Sequence, residues 1–593
     1  MEQEIKSCQN CKNQFVIEPD DFLFYEKINV PPPTWCPLCR FQRRLAFMND
    51  RELYRRTCGM CKKEIVTMYP PESRFTVYCN PCWWSDAWDG SQYAREYDPT
   101  RPFLQQLKEL NESTPQWALE LNYPTLINSP YINHAATAKN CYLIFFADEC
   151  ENVLYSEYLL HDTECMDSTM ISFCELCYGM AVSGKCFRSF FSEDCENCHD
   201  IYFCKDCVGC SDCFGCTGLR NKRYYLWNEP YSKEEYEQKI RELNIGSYRR
   251  CTELQKQAHD LWQTFPHKFQ HAQRNMNSTG EYIYESKNSK DLYDVAGGAE
   301  DSRFCQLLSM SGTKDAYDYC IWGNNAEMIY EAMVSGEGAY NVRCSFEAWS
   351  NVRNIEYCIN VITASDMFGC ANIRNKQYCI LNKQYSKEEF ETLRSRIIRD
   401  MTERPYRDAG GRIYPYGEFF PIELSLFSYN QTYAQQFFPL TREEALQKGL
   451  RWYESKPSEH VPTLKPDQIP DHISEIADSI VNEIIECADC KKAFRLLMQE
   501  LVLLRRFGLP IPRECFNCRF KKRWARINKP RLYHRTCVCK GAQSAKSNAA
   551  YIYQNQSSHF HGSSPCPNEF ETSYVPDRPE IVYCEQCYQS EVV

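Results

Sequence analysis

Cysteine recurs on a ruler between Ala138 and Asn221. Cys165, Cys186 and Cys207 are spaced 21 residues apart, Cys174, Cys195 and Cys216 keep the same step, and Cys177 and Cys198 repeat it. A fixed period of about 20–30 residues marks a solenoid, in which each coil buries its inner face only by stacking on the next. Short alternating pieces such as Cys141-Tyr-Leu-Ile-Phe-Phe, Asn152-Val-Leu-Tyr and Asp200-Ile-Tyr-Phe are broken by Asp, Glu, Asn, Ser and Gly, and read as strands and turns. A β-solenoid with a 21-residue repeat is the expectation.

The solenoid is followed by a block that appears twice. Gly215-Cys-Thr-Gly-Leu-Arg-Asn-Lys leads to Tyr231-Ser-Lys-Glu-Glu-Tyr236, and 154 residues on Gly369-Cys-Ala-Asn-Ile-Arg-Asn-Lys leads to Tyr385-Ser-Lys-Glu-Glu-Phe390. Ser232 with Glu235 and Ser386 with Glu389 are capping boxes, so each of two solenoids is expected to end in a helix that covers its last coil. In this alignment Cys204 and Cys216 recur as Cys358 and Cys370, but Cys207, Cys210 and Cys213 become Val361, Ala364 and Met367. Valine, alanine and methionine cannot hold the cation a thiolate would, but all three fill a small apolar slot as a free thiol does. The cysteine ladder therefore reads as packing. The dense run Cys195 to Cys216 keeps the alternative of a cluster or an extra zinc.

At the ends the cysteines change style. Cys8-x-x-Cys11 with Cys36-x-x-Cys39, and Cys58-x-x-Cys61 with Cys79-x-x-Cys82, are paired turns that each present two thiolates to one ion and together complete the tetrahedral S4 shell zinc prefers. Cys487, Cys490, Cys515 and Cys518 lie 479 residues beyond the first set, with Arg40-Phe41 matching Arg519-Phe520 and Arg56-Thr57-Cys58 matching Arg535-Thr536-Cys537. The module is duplicated, and its last set departs: Cys537-x-Cys539 replaces the C-x-x-C and Cys584-x-x-Cys587 arrives after a long loop, with His559, His561 and Cys566 as competing ligands. About four Zn2+ are expected, in closed shells and therefore structural rather than catalytic.

The pattern C-x-x-C…F…P-x-x-C-P-x-C-R from Cys8 to Arg40 resembles the "probable zinc-ribbon" domain of uncharacterised bacterial proteins. With Cys82-Trp-Trp-Ser-Asp and Phe427-Ser-Tyr-Asn…Phe438-Pro-Leu-Thr, most of the chain is similar to a cysteine-rich family of hypothetical proteins from small-genome bacteria. The resemblance implies zinc and no reaction.

At 593 residues several domains are expected. The order expected is a paired zinc-ribbon module over 1–100, a helical and aromatic connector over 101–135, and solenoid I over 136–228. A helical cap and linker over 229–278 leads to solenoid II over 279–383 and its cap over 384–402. A Pro- and Tyr-rich connector with a short helix, 403–478, precedes the second zinc module, 479–593. The fold class is multidomain and mainly β. The helical spacing of Phe103, Leu107 and Leu110 marks a helix in the first connector, where Trp83, Trp84 and Trp88 are expected to pack a zinc knuckle against the solenoid. No stretch has the length and apolarity of a membrane span, and 37 cysteines with no signal-like start point to a reducing, cytoplasmic location.

Net charge is −11, but its sign is segregated. Cys36 to Cys58 carries net +4 through Arg40, Arg43, Arg44, Arg51, Arg55 and Arg56, and Cys515 to Cys537 carries net +8. In the latter, Arg519, Lys521, Lys522, Arg523, Arg526, Lys529, Arg531 and Arg535 alternate with Phe520, Trp524 and Tyr533, a pattern suited to phosphates with unstacked bases on the rings. The bland alternative is a helix face whose cationic stems cover the aromatics. The first functional reading is thus a non-enzymatic zinc protein binding RNA or a ribonucleoprotein surface. The second is a protein-interaction scaffold using the solenoid faces. A carbohydrate-active or other enzyme on a β-helix, using carboxylates such as Asp162, Asp194, Asp206, Asp212 and Asp366, comes third, because those residues suit turns.

Overall fold

A computed structural model describes residues 2–49, 51–455, 460–540, 545–546 and 552–593. The chain is multidomain, with many strands and a cysteine cluster region at each end. It forms two compact units, each assembled from distant parts of the sequence: residues 1–119, 270–454 and 529–532 in one, and 120–269, 455–528 and 533–593 in the other. The N-terminal cysteine module therefore shares a unit with the second strand ladder, and the C-terminal module with the first. Among the described residues no helix is long and apolar enough to cross a membrane.

The first ladder is parallel with a step of twelve. Phe145 pairs with Glu157, Glu157 with Thr169 and Thr169 with Ala181, and His199, Ser211 and Arg223 continue the same step. Left-handed backbone recurs at every third residue, from Asn140, Leu143 and Phe146 through Asp200, Phe203 and Asp206. Two residues of strand followed by one left-handed corner make a three-residue side, and four sides return the chain to its starting column.

The residues preceding those strands point inward every third position. Ile132, Ala135, Ala138, Cys141, Ile144, Ala147, Cys150 and Val153 open a single buried cluster that runs to Cys216, with Ser156, Asp162, Ser168, Ser183, Ser189 and Ser192 filling the remaining places. The 21-residue period is thus corrected: twelve residues make one rung, and 21 is another multiple of three. Cys165 stacks over Cys177, and Cys186 belongs to the column of Cys174 and Cys198.

Cysteine suits this interior because four side chains must meet across each rung, which favours small groups beside the occasional Ile, Leu or Met. The thiols from Cys165 to Cys216 each also find an acceptor two residues back and another nine ahead. Cys165 Sγ lies 3.3 Å from the Thr163 carbonyl and 3.4 Å from that of Cys174. Burial pushes the Cys141 thiol up to about 11, so it remains S–H. Asp162, expected at a turn, lies in the interior, and accepts the backbone N–H groups of Cys174 (2.8 Å) and Leu160 (3.1 Å).

The corners carry stacks on the outside. His134, Phe146 and Tyr158 lie ring on ring with centroids 4.9 and 5.0 Å apart, and Asn128, Asn140 and Asn152 pass amide hydrogen bonds of 3.0 and 3.2 Å from rung to rung. These contacts help offset the cost of left-handed backbone in residues other than glycine.

The second ladder is built alike but less evenly. Lys314, Glu327, Tyr340 and Arg353 pair in steps of thirteen, and Arg353, Ser365 and Gln377 in steps of twelve. Cys358, Val361, Ala364, Met367 and Cys370 share its interior at the same three-residue spacing, as the duplicated block implied. Cys207→Val, which copies the residue at the matching place, is accordingly expected to cost less than about 1.5 kcal/mol in urea unfolding. A loss above about 3 kcal/mol would show that this sulfur does more than fill space.

Helix Lys233–Leu243 follows the first ladder and Lys387–Glu403 the second, and both capping boxes are formed. Trp83, Trp84 and Trp88 surround Arg374 of the second ladder, whose guanidinium lies 5.0, 5.4 and 5.8 Å from their rings. Part of the 403–478 connector is packed into the first unit. Tyr414, Phe419, Phe420 and Tyr429 are buried in the first unit, because a segment this rich in aromatics covers apolar surface more favourably than it spans solvent.

Candidate metal centres

The same turn is used three times. Strands Glu4–Ser7 and Gln14–Ile17 form a hairpin whose tip carries Cys8 and Cys11; Lys12 follows at φ 66°, and its N–H bonds the Cys8 carbonyl at 3.0 Å. The Lys12 ammonium then reaches back to the Gln9 carbonyl at 2.8 Å. Lys62 (φ 63°) and Lys491 (φ 62°) repeat this after Cys61 and Cys490, with bonds of 2.7 and 3.0 Å to Gly59 and Ala488. The second pair of each set opens a helix. Cys36 immediately precedes Pro37–Leu45, Cys79 precedes Asn80–Trp83 and Cys515 precedes Phe516–Arg526, with Cys39, Cys82 and Cys518 in the first turns.

Four all-cysteine groups result: Cys8, Cys11, Cys36 and Cys39; Cys58, Cys61, Cys79 and Cys82; Cys487, Cys490, Cys515 and Cys518; and Cys537, Cys566, Cys584 and Cys587. A tetrahedral shell with sulfur about 2.3 Å from a metal ion has edges of about 3.8 Å. The Cys11–Cys36, Cys61–Cys79, Cys490–Cys515 and Cys566–Cys584 sulfur separations are 3.7, 3.8, 3.8 and 3.8 Å. All 37 cysteines are free thiols, so these are not disulfides.

Backbone donors favour the thiolate form. Burial pushes the Cys58 thiol up, but the N–H groups of Cys79, Cys61 and Met60 outweigh it and bring the group down to about 6. Cys487 is brought to about 7 in the same way, burial being outweighed by the amides of Cys515, Cys490 and Asp489.

The last group corrects the expected set. Cys539 is not in it, and Cys566 is. One intervening residue between Cys537 and Cys539 is too short for the lysine-locked turn of the other sets, so a distant cysteine takes the second place. Cys539 instead faces His559, His561 and Cys587. Sequence spacing raised Cys566 and both histidines as candidates and had no means of distributing them.

The arginines expected to meet phosphate are largely internal. On helix Pro37–Leu45, Arg40, Arg43 and Arg44 are at most 1% exposed. Arg40 pairs with Asp318 at 2.8 Å, Arg43 with Glu331 at 2.6 Å and Glu418 at 2.8 Å, and Arg44 with Glu331 at 2.8 Å and Asp318 at 3.3 Å. In the other unit, helix Phe516–Arg526 docks the same way: Arg519 meets Asp167 at 2.7 Å and Glu500 at 3.3 Å, and Arg523 lies 3.5 Å from Asp167. Burial alone would push Glu331 up, but the three arginines hold its carboxyl below the ordinary range.

Trp524 is buried too, stacked on Phe520 and Tyr158, which removes it as a base platform. Arg526 pairs with Glu193, Arg56 donates to the Ser73 and Phe75 carbonyls at 3.1 Å, and Arg535 faces the carbonyls of Tyr574 and Val575. Arg55, Lys521, Lys522 and Arg531 are the exposed members of the expected set. The carboxylates that take up these arginines were not foreseen, since Asp167 and Asp318 occupy left-handed corners where Asp is unremarkable.

No family model and no curated protein matches the chain. Among solved structures, a chain described as a "putative acetyltransferase from Desulfovibrio desulfuricans G20" is similar over 49% of this protein and 86% of its own length, at 11% identity and a TM-score of 0.10. A likeness that slight carries no argument about fold or activity.

Proposed function

We propose that the protein is a non-catalytic, zinc-stabilised scaffold in which two β-solenoids, each clamped by a zinc-ribbon module, present their outer faces to a protein partner in the cytoplasm. The solenoid reading is supported by parallel pairing at a near-constant step and by left-handed corners every third residue. Zinc is supported by closed sets of four soft donors at tetrahedral spacing, which leave no open position for a substrate. Kinship with the uncharacterised bacterial zinc-ribbon proteins is part of the proposal and rests on the Cys8 to Arg40 pattern.

One observation carries the choice between scaffold and RNA binder. The arginines of both modules are directed onto carboxylates of their own unit, so the modules act as clamps on the ladders. The outer face of the first ladder offers Phe173 and Phe187, 51% and 39% exposed, among ion-paired side chains.

RNA or ribonucleoprotein binding is the second reading, favoured by the exposed Lys521 and Lys522 on one helix. Fluorescence polarisation with single-stranded RNA across a salt titration separates the two. The scaffold reading expects weak binding that K521E/K522E leaves unchanged, and a stoichiometric protein partner in native preparations that F173A/F187A abolishes. Tight, salt-sensitive RNA binding lost in K521E/K522E would replace it.

A further inference from the structure

We infer that the C-terminal module holds a two-metal centre in which Cys587 is a thiolate shared by both ions. The inference rests on metal occupancy of these modules and goes beyond it in the number of ions and their link. Two donor groups converge there: Cys537, Cys566, Cys584 and Cys587, and Cys539, His559, His561 and Cys587, with the ligand atoms of each group within 4.8 Å of one another. Cys587 belongs to both. Seven side chains supply eight tetrahedral positions only if one of them bridges.

Distances fit the second shell as well as the first. With sulfur about 2.3 Å and nitrogen about 2.0–2.1 Å from a tetrahedral zinc, the sulfur–nitrogen edge is about 3.6 Å. Cys539 Sγ lies 3.6 Å from His559 Nδ1, and Cys587 Sγ lies 3.3 Å from His561 Nε2.

The outer ring nitrogens supply an independent observation. A metal-bound histidine gives its other N–H to a carboxylate or carbonyl, which fixes the tautomer that leaves a lone pair for the ion. His559 Nε2 lies 3.0 Å from the Glu591 carboxylate, and both side chains are fully buried. Glu591 is itself positioned by the Tyr553 hydroxyl at 2.8 Å and by the N–H groups of Gln556 and Ser557. His561 directs Nδ1 to the Ser564 carbonyl at 2.6 Å. Each histidine therefore presents its free nitrogen, Nδ1 of His559 and Nε2 of His561, toward the cysteines.

The charge is favourable to sharing. Five thiolates around two dications leave −1, whereas the same two shells without a bridge would need a sixth thiolate. Amide donors point at the sulfurs: Asn555 to Cys539, Asn568 to Cys584, and the Cys584 N–H to Cys537, each at 3.3 Å.

Metal analysis of the native full-length protein tests the inference, because the other three groups serve as an internal reference. Five zinc ions per chain are expected, falling to four in H561A and in C539S and to three in C587S. Four ions in the wild type, or four in C587S, would overturn the bridge; none anywhere would instead remove the metal reading as a whole. Should C587S fail to fold, the cobalt-substituted wild type decides. A thiolate bridge couples two Co(II) ions and lowers the magnetic moment below that of five isolated ions, and H561A restores the isolated value for the ions that remain. An uncoupled wild type would refute the shared thiolate.

Discussion

If the end modules hold zinc as proposed, stripping it with a strong chelator is expected to melt both modules while the strand ladders keep their structure. Structural zinc sites contribute apparent binding free energies of about 10–16 kcal/mol each at neutral pH, and here that free energy is folding free energy. The reason is the size of the cores. The group of Cys487, Cys515 and Cys518 packs against Phe494, whereas Leu496, Leu501, Leu504 and Phe507 belong to the larger apolar cluster on the first ladder. Without an ion, four thiols, among them Cys487 whose charged form is favoured by the surrounding amides, are held together by a short hairpin and the start of a helix. Amide hydrogen exchange should therefore accelerate first in Glu4–Ser7, Gln14–Ile17, Tyr54–Thr57 and Glu64–Thr67, with protection in the interior rungs retained. A metal-free protein with undiminished protection in those hairpins would show that packing alone sustains the modules.

Glu331→Ala is expected to destabilise the first unit by about 3–5 kcal/mol, the cost of stripping the partner from buried charge. Glu331 accepts from both Arg43 and Arg44, and all three are fully buried. Its removal leaves three guanidinium groups facing Asp318 and Glu418 alone. Arg55→Ala supplies the contrast, since its pair with Glu64 is 66% and 70% exposed and should contribute about 0–1 kcal/mol. Urea unfolding of both variants with metal bound measures the difference. Equal effects would mean that water reaches the arginine cluster.

The ligands, the capping boxes and the small interior of the ladders were legible in the sequence because each depends on local spacing. Ser232 with Glu235 and Cys8 with Cys11 need only a turn to meet. The rung length was not legible, because many left-handed corners carry Tyr, Phe, Leu or His, and the Gly, Asn and Asp at the others, such as Gly179, Asn197 and Gly209, recur too irregularly to mark each side. What remained was the inward column, whose three-residue spacing fits a rung of twelve and a rung of 21 equally.

The fate of the arginines was hidden for a different reason. Arg40 with Arg43 and Arg44, and Arg519 with Arg523, lie three or four residues apart, which places them on one helical face. A face of arginines beside Phe41 or Phe520 has the same pattern whether water or buried aspartate lies opposite. The deciding residues, Asp318, Glu331 and Glu418, are hundreds of positions away.

That separation has a consequence for synthesis. Arg43 and its partner Glu418 are 375 residues apart in the chain. At about 5–20 residues per second, a ribosome needs on the order of 20–75 s to deliver the acceptor after the donor. Until Asp318 and Glu331 emerge, the nascent N-terminal segment carries three uncompensated cations, a transient polyelectrolyte that the finished protein conceals. The C-terminal counterpart never passes through such a state, since Asp167 has emerged long before Arg519 is translated.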